Sequence, residues 1–154
     1  MYYAVVTLLT IVLPAVSVAA ERLHGGAAFT PLLVAKWYVF WAVGCRLFMA
    51  GMRQVLQPSY TARVILGLRS DESLLLVREL GFANLALGVL GIASLAMPDW
   101  RLSAALAGGI FYGLAGVNHV LQPHRNRLET TAMATDLLAA LVLLGCCLLA
   151  WLAR

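Results

Sequence analysis

Five apolar stretches dominate the chain, Tyr2–Ala20, Pro31–Met52, Leu74–Met97, Leu102–Gln122 and Thr130–Leu152. Each approaches or exceeds the about 20 residues of helix that cross a hydrocarbon core. Short loops join them and leave no room for an appended soluble domain. Only 12% of the 154 residues are charged and 62% are hydrophobic, whereas about a quarter of a soluble domain is charged. The expected fold is all-α: one integral membrane domain, a polytopic bundle of five transmembrane helices. Its first partner is the lipid bilayer, and nothing points to nucleic acid.

The first stretch ends in SVAA before Glu21, much as a signal peptide ends at its cleavage site. Its opening MYY carries no Lys or Arg, so a retained helix is expected, bent near Pro14. The three cysteines, Cys45, Cys146 and Cys147, are odd in number and sit in apolar segments, so no disulfide framework is expected.

Basic residues set orientation. Arg53, Arg63, Arg69, Arg78, Arg125 and Arg127 fall on the side of the N-terminus, against Arg22, Lys36, Arg101 and Arg154 on the other. The expectation is a cytoplasmic (inner) membrane protein with its N-terminus inside and its C-terminus outside.

The chain writes one helix ending twice. AGMRQVLQP runs from Ala50 to Pro58 and AGVNHVLQP from Ala115 to Pro123, identical at six of nine positions. Proline cannot continue a helix and pushes its predecessor out of the α region, so each copy ends near its glutamine. Helices 2 and 4 run the same way, which makes the hairpins of helices 2–3 and 4–5 a parallel repeat. FANLALG (Phe82–Gly88) then sets beside MATDLLA (Met133–Ala139), with Asn84 opposite Asp136, while Gln54 is answered by His119. After Pro58, SYTARVILG suits a short interfacial helix. Ser70, ahead of Asp71 and Glu72, reads as an N-cap.

Polar residues at membrane depth are costly and tend to face a partner or a cavity. Here they gather in the cytoplasmic half: Arg46, Arg53 and Gln54 in helix 2, Glu79 and Asn84 in helix 3, Asn118, His119 and Gln122 in helix 4, and Asp136 in helix 5. Arg46 lies seven residues before Arg53 and Asp136 six after Thr130, each about 9–10 Å inside at 1.5 Å per residue, so the two are candidate counter-ions. Glycines follow the same logic of close approach. Gly81, Asn84, Gly88 and Gly91 form one stripe, and Gly109 and Gly113 a GxxxG. Arg53, Arg78, Arg125 and His124 also suit boundary residues reaching for lipid phosphates. A structural ion pair and a working site both remain open for Arg46 and Asp136.

No zinc spacing, haem-attachment motif, nucleophile elbow or phosphate loop is present, and His119 and His124 are too far apart on a helix to clasp one metal. No catalytic residue, metal ligand or cofactor is assigned, and the reading leans away from an enzyme.

GMRQVLQP, RELGFANLALGVLGI, GLAGVNHVLQP and TDLLAALVLL resemble an uncharacterised family of small bacterial integral membrane proteins. That family's acid, Ala-Asn, Gly-Val-Leu-Gly, Gly-x-x-His and final Asp correspond to Glu79, Ala83-Asn84, Gly88–Gly91, His119 and Asp136. The resemblance covers about residues 45–145. Its usual Ser-Pro-Phe-Gln is replaced here by Asp-Glu-Ser-Leu-Leu-Leu-Val-Arg, so the third helix is expected to enter differently. The layout is also similar to DoxX-like four-helix proteins, some of which are membrane subunits of quinone-linked redox enzymes.

Two functions follow as expectations. One is a non-catalytic accessory or assembly subunit, partnered by other membrane subunits or by itself. The other is a small-ligand, quinone or proton-handling protein built on the polar cluster. A cavity lined by that cluster favours the second; a dry, interlocked cluster favours the first.

Overall fold

The computed structural model describes residues 2–153, and the described residues are all helical apart from turns and loops. Five helices are long and apolar enough to cross a membrane: α1 (Tyr2–His24), α2 (Pro31–Leu56), α4 (Glu72–Ala93), α5 (Pro98–Leu121) and α6 (Arg127–Leu152). A short helix, α3 (Tyr60–Ile65), lies between α2 and α4, where a short interfacial helix is expected. α2 packs chiefly on α4 and α5 on α6, so each hairpin is also a packing unit. Val39, Val43, Leu47, Tyr112 and Leu143 fill the core between the two.

Glycine decides how closely α2 and α4 approach. A Cβ on Gly88 would lie 2.6 Å from the Phe48 nitrogen, and one on Gly51 would lie 2.7 Å from the Gly81 carbonyl oxygen. Backbone meets backbone here, as the glycine stripe of helix 3 implies. Gly109 and Gly113 behave differently. The first faces the Leu144 side chain and the second meets only Ala140 Cβ, at 3.6 Å, so side chains of α6 rather than its backbone fill that groove.

Three stretches are wound as π-helix: Leu8–Val12 in α1, Val39–Arg46 in α2 and Tyr60–Ile65. In α1 the wide turn sits just ahead of Pro14, which has no N–H to give. In α2 the Ala42 carbonyl, inside the wide stretch, accepts the Tyr112 hydroxyl from α5. Such a partner lets an irregular turn persist where water is scarce.

Several boundaries depart from sequence expectation, each for a local reason. α1 runs past Ala20 because Glu21 is tied down: Lys36 Nζ lies 2.7 Å from its Oε2 and Trp37 Nε1 donates to the same oxygen at 2.6 Å. α4 stops at Ala93 rather than Met97. The Ser94 hydroxyl donates to the Gly91 carbonyl at 2.7 Å and the chain turns ahead of Pro98. Ser70 does not cap α4. The N-cap position is Asp71, whose carboxylate is drawn off to Arg63 at 2.7 Å, and the Ser70 carbonyl accepts from the Ser73 hydroxyl at 2.6 Å. Arg125, expected at lipid phosphates, instead donates to the His119, Val120 and Gln122 carbonyls and closes the end of α5. α6 opens on a full capping box, Asn126 with Glu129.

α2 and α5 both end one residue before a glutamine that leaves helical geometry, Gln57 and Gln122, followed by Pro58 and Pro123. The loops after these prolines touch: Asn126 Nδ2 donates to the Ile65 carbonyl at 2.7 Å. Both copies of the repeated ending therefore finish at the same end of the bundle.

Candidate functional site

At that end the starts of α1, α4 and α6 meet the ends of α2 and α5 around a cavity of about 300 Å³. Its polar wall is Arg46, Gln54, Asn84, His119 and Asp136. Val5, Leu9, Leu47, Leu80 and Phe111 form apolar walls, and Tyr60 and Thr61 of α3 bring the interfacial segment against it.

The ion pair expected from depth is formed. Arg46 Nη2 lies 2.6 Å from Asp136 Oδ1, and the same nitrogen donates to Thr135 Oγ1 at 3.2 Å. Both partners are buried, at 9% and 6% exposure, where an unpaired charge would be expensive. The Arg46 guanidinium also sits 4.9 Å from the Tyr112 ring centroid, a cation–π distance. Tyr112 thus holds two things at once, the wide turn of α2 through its hydroxyl and the arginine at the end of that turn through its ring.

Beside this pair, Asn84 Nδ2 donates to Gln54 Oε1 at 2.7 Å, joining α4 to α2. The repeat sets Gln54 against His119 and Asn84 against Asp136, and all four side chains line the one cavity. Three polar atoms of this wall are buried without a hydrogen-bond partner: Arg46 Nη1, Asn84 Oδ1 and His119 Nδ1. Orphaned buried groups are uncommon and call for an explanation.

The other sequence-predicted site residues divide. Arg53 is exposed but lines the cavity, with its guanidinium 3.8 Å from the Tyr60 ring centroid. Glu79 does not join the cluster, contrary to expectation; it is exposed on α4. The reason is angular: Val77, Gly81, Asn84 and Gly88 are the buried face, and a residue two places from Val77 and from Gly81 points the opposite way. Asn118 is exposed beside its buried-face neighbours for the same reason, and Gln122 is exposed where α5 ends. Neither lines the cavity. Sequence reasoning did not find Tyr2, Tyr60, Thr61 or Thr135. Tyr112 and Gln54 carried the signal that could have found more, since each shares a helical face with a residue of the cluster.

Among the described residues no group of three or more His, Cys, Asp or Glu is placed to hold a metal ion. The wall combines one neutralised ion pair, one amide pair and an apolar surround. It fits no particular cofactor better than another.

No curated protein and no solved structure matches the chain. A family model matches residues 1–154, so the match takes in the first helix, which lies outside the partial resemblance of residues 45–145. The chain is a member of a family of unknown function (DUF6790).

Proposed function

We propose that this protein is a non-catalytic accessory protein of the cytoplasmic membrane whose polar-ended cavity binds a small amphiphilic molecule. The observation that carries the reading is the trio of orphaned atoms, Arg46 Nη1, Asn84 Oδ1 and His119 Nδ1, on residues that line a single cavity. About 300 Å³ lies at the lower end of small-molecule pockets. The mixture of apolar walls with a few convergent polar groups is what such sites use to bind and orient a ligand.

The glycine stripe of α4, Gly81, Gly88 and Gly91, is taken up in the internal α2–α4 contact, where Gly51 of α2 meets it. They therefore speak for a rigid bundle rather than for a partner, and binding moves ahead of pure assembly. In this reading the N-terminus is cytoplasmic by the arginine distribution. The two hairpins are related by rotation about the membrane normal, and the cavity opens toward the cytoplasmic half.

Native mass spectrometry of the full chain released from its own membrane tests the proposal. A retained small molecule at one copy per chain, absent from the cavity-filling variant Ala115→Leu, is the expected result. Wild type and variant carrying the same lipids and nothing else would overturn it.

A further inference from the structure

Resting on that reading, we infer that the molecule held in the cavity is an organic monoanion, a carboxylate on a single apolar chain or ring. Charge is the first reason. Arg46 and Asp136 neutralise each other at 2.6 Å, while Arg53, at the cavity edge and over the Tyr60 ring, has no ion-pair partner among the described residues. The lining is left with one positive charge in excess. A cation would meet no unpaired carboxylate, because Asp136 is ion-paired with Arg46 through Oδ1 and Glu79 is exposed on α4 and does not line the cavity.

Donor chemistry is the second reason. Guanidinium nitrogens only donate, so the unused Arg46 Nη1 can be satisfied only by an acceptor, and its planar fork suits a carboxylate oxygen. The amide pair has two equivalent orientations: as placed its unused atom is the acceptor Asn84 Oδ1, and with both amides turned over Gln54 Nε2 donates to Asn84 Oδ1 and an Asn84 N–H is the unused atom instead. His119, in the tautomer with a proton on Nδ1, supplies another donor. Arg46 donates in any case, and in these orientations Asn84 and His119 donate as well, so an oxygen acid is an acceptor for each of them.

Size is the third. A cavity of about 300 Å³ takes one short chain or ring between Leu9, Leu47 and Phe111, and is too small to enclose a two-chain lipid.

The test is displacement of tritiated decanoate as the probe from the full chain in zwitterionic nanodiscs, by unlabelled decanoate, methyl decanoate, decyl phosphate and decyltrimethylammonium. Decanoate is expected to compete about tenfold better than its methyl ester, the worth of one hydrogen bond to a charged group. Arg53→Gln, an exposed change that spares the fold, should weaken decanoate several-fold and leave the ester unmoved. Equal competition by ester and acid, or better competition by the phosphate or the ammonium, overturns the carboxylate assignment while leaving the binding reading intact. A probe that does not bind at all, with no displacement by any of the four, overturns both.

Discussion

Asp136 takes one nitrogen of Arg46, at 2.6 Å, and leaves the other without a partner in the wall of the cavity. A pair that served stability alone would gain by using both, since guanidinium and carboxylate fit each other bidentately. The half-used arginine links the packing of the bundle to what the cavity can hold.

That pair should be strongly coupled. Breaking a buried ion pair from one side costs about 3–5 kcal/mol, because a charge is left alone at low dielectric. Asp136→Asn is expected to destabilise the protein by that order in reversible unfolding, and Arg46→Gln added to it should restore part of the loss. Asp136→Asn is isosteric but Arg46→Gln shortens the side chain and takes the guanidinium from the Tyr112 ring, so the Arg46→Gln single variant is measured as well and the coupling is taken from the full cycle. Strict additivity would mean that the two residues do not interact.

Much of this was legible in the sequence. The five spans follow from apolar length, and the Arg46–Asp136 pairing follows from equal depth on helices entering from one side. Two things were missed. The outward turn of Glu79 follows from its place two residues from Gly81 of the glycine stripe, but depth alone grouped it with the cluster, and depth does not fix the angle around the helix. The wide turns have no local sequence mark: Val39–Arg46 is as apolar as its surroundings, and what stabilises it is the Tyr112 hydroxyl, far along the chain. Tyr60 and Thr61 reach the cavity because α3 folds back after Pro58, a tertiary event that no periodicity encodes.

The α2–α4 contact gives a sharp contrast between two glycines. Gly88→Ala puts a methyl group 2.6 Å from the Phe48 backbone nitrogen, so it should destabilise by about 1–3 kcal/mol, as overpacking does. Gly145→Ala, in mid-helix with nothing within 4 Å, should stabilise by about 0.5–1 kcal/mol through helix propensity. Thermal unfolding of the two variants in the same detergent checks both signs.

Tyr112→Phe keeps the ring beside Arg46 and removes the hydroxyl that serves the Ala42 carbonyl. A buried acceptor left alone costs about 1–3 kcal/mol. Loss of stability in that range is expected, together with faster hydrogen exchange in Val39–Arg46. Unchanged exchange there would mean that the wide turn does not depend on the tyrosine.

Topology is open to a direct check. A reporter active only outside the cytoplasm, fused after α6, should give signal, and the same reporter ahead of α1 should be silent. The reverse pattern would place the cavity at the external face.

The occupancy of the cavity is the centre of the account, and photoaffinity labelling tests it most directly. A medium-chain carboxylate bearing a diazirine, added to the full chain in membranes, is mapped by peptide mass spectrometry with and without excess decanoate. Labels are expected on cavity residues, Leu47 and Phe111 foremost, and excess decanoate should suppress them. Labels spread over outward-facing residues such as Leu75, Leu76 and Leu141, unaffected by decanoate, would mean that the probe dissolves in lipid and the cavity holds no such ligand.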